Sequence, residues 1–173
     1  MTTFAPTSAL QVWLRTMSLV FLSLYGAAAC METGDYSARQ VRIFDGDSFV
    51  AMRANGTEVE IRLFGIDAPE RHQPWSRKSR DALRALIEDT DFTVRTVTID
   101  TYGRTVAVVT LPDGRQVNSE MVQAGNAWVY RRYTNDAAML ALEDQAKENK
   151  LGLWRLPPDE RIPPWEWRKH QRK

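Results

Sequence analysis

The run Val41–Pro69, VRIFDGDSFVAMRANGTEVEIRLFGIDAP, decides the architecture. Val41 and Ile43 flank Arg42 in the period-two alternation of a half-buried strand. Asp45-Gly46-Asp47 interrupts it as a tight turn, Gly46 supplying the permissive backbone. Phe49-Val50-Ala51-Met52 forms a second strand and runs to Asn55-Gly56, a dipeptide favoured in hairpin turns. Beyond it Val59, Ile61 and Leu63 share one face, while Glu58, Glu60 and Arg62 share the other. Pro69 cannot donate to a ladder and closes the strand. The segment therefore predicts a three-stranded meander.

Downstream, Ala82, Leu83, Leu86 and Ile87 mark one face of a helix over 76–88. Phe92, Val94, Val97 and Ile99 predict a strand whose change of parity calls for a bulge. Residues 106–109 give a further strand, turning at Pro112-Asp113-Gly114. Asn118 is placed to cap a short helix that Gly125 ends, and 136–149 reads as another helix, with Met139, Leu142 and Ala146 on one side. Three strands, a helix, two strands, then helices suit a mainly β fold: a five-stranded Greek-key barrel with about three packed α-helices, over residues 39–155. Residues 30–38 read as a flexible lead-in. The Pro/Trp-rich basic stretch 156–173 reads as an extended tail that packs its indoles on the domain.

The chain has 173 residues, enough for one domain with a real core. Residues 1–29 contain a single charged side chain, Arg15, then the apolar run 17–25 and the small residues Gly26-Ala27-Ala28-Ala29. That pattern reads as an export signal, and the apolar run is shorter than the roughly 20 residues a bilayer span needs. Cys30 is the only cysteine, which excludes an internal disulfide. Two fates stay open for it: plain cleavage after Ala29, or lipidation of Cys30 as the first mature residue, with membrane attachment. From residue 30 onward basic and acidic residues balance at 22 each. Arg161, Arg168, Lys169, Arg172 and Lys173 nevertheless crowd the carboxyl end, with Arg131 and Arg132 upstream.

Three stretches place charged groups at strand ends: Asp45-Gly46-Asp47-Ser48, Arg62 through Asp67-Ala68-Pro69-Glu70, and Asp100-Thr101-Tyr102-Gly103-Arg104. Carboxylates gathered at strand ends repel unless a cation sits among them, and all-oxygen ligands suit a hard ion rather than zinc. His72 and His170 are the only histidines, so no Cys/His cluster offers a zinc site. Arginines beside such a site can fork onto a phosphate. Each stretch alone has an ordinary structural explanation, as a turn, a helix cap or a solvated strand residue. Their conjunction in this order is what points to phosphodiester cleavage.

These stretches resemble the signature of the staphylococcal nuclease family, and the match continues through Val117-Asn118, Gly125-Asn126-Ala127-Trp128-Val129-Tyr130 and Gly152-Leu153-Trp154. The resemblance implies an OB-fold enzyme that binds Ca2+ and hydrolyses DNA and/or RNA to 3′-phosphate ends. It implies that Asp47, Asp67 and the backbone oxygen of Ala68 hold the ion, that Glu70 activates or positions the attacking water, and that Arg62 and Arg104 hold the phosphate. Tyr102 would touch a substrate phosphate, with Tyr130 and Tyr133 both candidates for stacking on a base. Trp75, Trp128 and Trp154 read as core anchors, and a monomer is expected. Two rival readings are a non-catalytic nucleic-acid-binding module and an envelope lipoprotein scaffold. The clustered carboxylates argue against the binder, because they repel phosphate.

Overall fold

A computed structural model describes residues 34–171. The expected signal, Cys30 and the first part of the lead-in lie outside those residues. Strand β1 (Tyr36–Ile43) is followed by β2 (Ser48–Arg53) and β3 (Glu58–Leu63) as an antiparallel meander. Pairing begins at Tyr36, inside the stretch expected as a lead-in, because residues 36–39 pair with a later strand and 38–39 with β2 as well. The turn at Asn55-Gly56 is as expected, with Gly56 at φ 81°.

The two-residue strand β4 (Ile66–Asp67) leaves the barrel and pairs antiparallel with β7 (Trp128–Val129). Between them come α1 (Ser76–Ile87), β5 (Asp91–Ile99), β6 (Thr105–Thr110) and α2 (Val117–Gln123). The barrel closes in the order β1-β2-β3-β6-β5, with β3 and β6 parallel. The expected bulge in β5 falls at Thr96–Thr98, and it leaves Val97 and Ile99 exposed. Phe49, Ile61, Leu63, Phe92, Val94 and Val109 fill the interior, Phe49 meeting Phe92 edge-to-face at 5.7 Å.

Asn118 does not cap α2. It lies inside the helix, 2% exposed, and its amide donates to Phe64 O (2.9 Å) and Ala107 O (3.2 Å) while accepting from Val109 N (3.1 Å). Three buried backbone groups near the barrel's end need partners, and satisfying them outweighs one exposed cap. Helix α3 (Ala137–Glu148) is capped by Asp136, which accepts from Ala138 N at 2.8 Å. Its inner face carries Glu143, buried because it accepts from the Val129 N–H at the open edge of β7 (2.9 Å). Trp128 and Trp154 are buried edge-to-face at 5.7 Å, and Trp75 packs against them.

The carboxyl-terminal stretch is not extended. Short 3-10 turns at Gly152–Arg155 and Pro158–Glu160 lead into a fourth helix, α4 (Pro164–Gln171). Pro163-Pro164 suits a helix start, since proline loses nothing in the first turn. An eight-residue helix does not persist alone in water, so its contacts with the domain hold it.

Candidate active site

The site forms where β2, β3 and β4 meet. Arg62 sits opposite Ser48 in the β2–β3 ladder, on the face away from Ile61 and Leu63. Its Nη1 donates to Asp47 Oδ1 at 2.7 Å and its Nη2 to Asp67 Oδ1 at 2.8 Å, so one guanidinium bridges two carboxylates. Asp47 is 2% and Asp67 1% exposed. Asp47 also accepts from the Ala68 N–H (2.6 Å) and the Ser48 hydroxyl (2.9 Å). The turn bringing Asp47 here needs a glycine at 46: a Cβ there would lie 1.8 Å from the Ser79 hydroxyl of α1 and 2.9 Å from the Ala68 Cβ.

Asp45 lies beside Asp47 and accepts from its N–H at 3.0 Å. Burial, together with the charge of Asp47, pushes the Asp45 carboxyl up to about 8. Burial also lifts Asp67 above the usual carboxylate range, and the Asp47 charge adds to it against the pull of two arginines. Burial opposes the charged form of Arg62, but Asp47 and Asp67 outweigh it and hold the guanidinium firmly protonated.

Glu70 follows Pro69 into a loop with two left-handed residues, His72 and Trp75, both at φ 71°. Gln73 holds this loop: its side-chain oxygen accepts from the Glu70 N–H (2.9 Å), its N–H reaches the Glu70 carbonyl (2.9 Å), and its amide donates to the Ile162 carbonyl. The Glu70 carboxylate is gripped by Arg168 of α4, which also forks onto Asp67. His72 stays on the exposed loop surface.

Arg104 keeps other company. Its guanidinium pairs with Asp100 at 2.8 Å, and Asp100 also accepts from the backbone N–H groups of Tyr102 and Arg104. Thr105, the next residue, pairs with Ile61, which places Arg104 beside the strand that carries Arg62. Tyr102 is 83% exposed at that turn. Tyr130 and Tyr133 meet edge-to-face at 5.0 Å, and the other contact of Tyr130 is a parallel stack with Trp165 of α4 at 5.3 Å and 9°.

The structure thus brings Asp47, Asp67, Ala68, Arg62 and Glu70 together, with Arg104 held nearby by Asp100. Sequence reasoning expected the tail's indoles on the domain, as Trp165 shows, and missed Gln73 and Arg168. A glutamine in a loop carries no pattern, and a basic tail gives no hint of which carboxylate it meets. Among the described residues no three carboxylate, imidazole or thiolate side chains form a ready metal shell. Arginines stand between them instead. With Asp45 holding its proton, Asp47, Asp67 and Glu70 face the guanidiniums of Arg62 and Arg168, so three negative groups meet two positive ones and the excess favours a cation. The oxygen-only donors fit a hard ion.

A closed five-stranded barrel with buried carboxylates bridged by arginine at its strand ends holds groups that phosphodiester cleavage can use. The family described as "Staphylococcal nuclease homologue" matches residues 60–156. An "Uncharacterized endonuclease" of Escherichia coli O157:H7 is 41% identical over 134 residues, covering 78% of this chain and 86% of that protein. A "Micrococcal nuclease" of Shigella flexneri is 37% identical over 145 residues, 78% of this chain and 82% of that one. The "Staphylococcal-like nuclease CAN1" of Arabidopsis thaliana is 37% identical over 115 residues, but these cover only 35% of its length. The chain belongs to the staphylococcal nuclease family. It is a phosphodiester hydrolase acting on nucleic acid, and the two non-catalytic readings give way.

Proposed function

We propose that the chain is a calcium-dependent nuclease of DNA and/or RNA that leaves 3′-phosphate ends. The observation that carries this reading is the Arg62 bridge between Asp47 and Asp67, with Glu70 beside the same Asp67. Asp47, Asp67 and the Ala68 carbonyl are the groups suited to the ion, which would supply Lewis-acid stabilisation of charge on the phosphate. Arg62 places a planar pair of donors at the site, and Arg104 can join it by leaving Asp100. Glu70 takes the proton of the attacking water. The water oxygen bonds to phosphorus, the ester bond to the 5′ oxygen breaks, and that oxygen takes up a proton from solvent while Glu70 returns its own to solvent.

Tyr102 is open to touch a phosphate, and Tyr133, 60% exposed, has a face free to stack on a base. A cavity of about 620 Å³ continues from Tyr130 past Arg131, Arg132 and Arg161, a basic and aromatic path that suits a polynucleotide.

Single-turnover cleavage of an oligonucleotide tests the reading. Activity is expected to need Ca2+ and vanish with chelator. Arg62→Lys and Glu70→Gln should each lose on the order of a hundred- to a thousandfold in rate while staying folded. Near-normal rates in folded variants would put the chemistry on other residues.

A further inference from the structure

Arg168 lies outside every motif that carries the family resemblance, yet it rests on two carboxylates of the site. Its Nη2 donates to Asp67 Oδ2 at 2.7 Å, and its Nη1 donates to Asp67 Oδ1 at 3.1 Å and also to Glu70. We propose that Arg168 is a third arginine of the reaction centre, a catalytic residue delivered by α4 that donates to the scissile phosphate alongside Arg62. The inference rests on the nuclease reading above.

Three observations carry it. The first is reach: a guanidinium bound to both Glu70 and Asp67 lies between the group that takes the water proton and a group suited to the ion, which is where the phosphate must sit. The second is spare capacity. A guanidinium has five N–H donors in a fixed fork. Three serve Asp67 and Glu70; among the described residues the other two have no partner, and the side chain is 32% exposed.

The third is anchorage. Trp165 stacks on Tyr130, Pro164 is buried, Trp165 and Leu156 pack on the Trp128–Trp154 cluster, and Gln73 holds the Ile162 carbonyl. Gln73 also holds Glu70. The tail and the Glu70 loop are therefore one wall, and α4 presents Arg168 from fixed ground.

The same contacts set a distinctive signature. Asp67 Oδ1 already accepts from Arg62 and Arg168, and Oδ2 accepts from Arg168. A divalent ion at Asp67 has to displace one of these donors. Arg62 is tied to Asp47 as well and stands on a barrel strand. Arg168 is the donor free to turn from Asp67 toward an anion above it. Loss of Arg168 should then tighten ion binding and slow the reaction at once, an opposition that neither a plug nor a plain structural brace produces.

The experiment compares wild type, Arg168→Ala and Arg168→Lys by calorimetric titration with Ca2+ alone and by cleavage of an oligonucleotide at saturating Ca2+, with circular dichroism to confirm folding. Arg168→Ala is expected to bind Ca2+ about 3- to 10-fold tighter and to cut about 10- to 100-fold slower in kcat, with KM changed less than about threefold. Arg168→Lys should keep weaker, wild-type-like Ca2+ binding but remain about tenfold slow, since an ammonium lacks the fork. A kcat that is unchanged or higher in Arg168→Ala, or Ca2+ binding no tighter than wild type, overturns the proposal. Should Arg168→Ala fail to fold, the lysine variant decides alone: a wild-type rate overturns the proposal. A wild-type chain that cuts no nucleic acid sinks the nuclease reading instead, whereas an active wild type with an equally active Arg168→Ala sinks only this one.

Discussion

Residues of one type take different roles here according to what surrounds them. Asp100 is half-buried and serves Arg104 and its own turn, whereas Asp45, Asp47 and Asp67 are crowded together and desolvated. That crowding has a consequence for the ion-free protein. The folded state holds the Asp45 proton up to about pH 8, against 3.8 for the free side chain. Between those values the folded chain binds more protons at Asp45 than the unfolded chain, so the contribution of this residue to stability falls as pH rises from about 4 toward 8. Asp67, also raised, adds to the fall. In chelator, Asp45→Asn should match the parent near pH 4 and become progressively the more stable of the two as pH rises toward 8, because the amide has no proton to lose. Urea denaturation across that range checks it; parallel curves for the two proteins would mean that Asp45 is not the strained carboxylate.

At the scale of elements, β3 and β5 follow their alternation, including the bulge that Val94 and Val97 announce, whereas a register shift between Gln40 and Arg42 in β1 leaves Val41, expected on the half-buried face, 44% exposed. The helices depend on what they touch. The last turn of α2 and the turn after α3 approach through two glycines: Leu153 N donates to Gly125 O at 2.8 Å, and a Cβ on Gly152 would lie 2.1 Å from Gly125 O and 2.5 Å from Ala124 O. Backbone oxygens cannot step aside as a side-chain end can. Gly152, at φ 54°, also occupies the left-handed region. Gly152→Ala should therefore cost about 2–4 kcal/mol, combining overpacking with backbone strain. Gly114 has φ 87° but nothing within 4 Å of its would-be Cβ, so Gly114→Ala should cost only about 1 kcal/mol. Equal denaturation midpoints for the two variants would show that the close approach is not what holds the start of the tail.

For the whole molecule, the described residues make one barrel with its helices. What precedes them bears on where the enzyme works. We propose that residues 1–29 are removed on export and that Cys30 begins the mature chain, motivated by Arg15, the apolar run and the small residues before Cys30. Intact mass of the protein from its native host should start at Cys30, with or without a diacylglyceryl adduct; soluble protein retaining Met1 would refute export. Local pattern was enough to read the meander, the bulged strand, α1, α3 and the three charged stretches, because strand alternation, turn chemistry and capping act over a few residues. Arg62 was readable as well, since parity alone sets it opposite Ile61 and Leu63. The tail was legible only in part: its indoles were expected to pack on the domain, as Trp165 does, but its helix and the partners of Arg168 were not, because those partners lie about a hundred residues away at Asp67 and Glu70. Buried Asn118, Gln73 and Glu143 were closed to sequence reading for the same reason: each is placed by an unpaired backbone group that exists only once the barrel has closed.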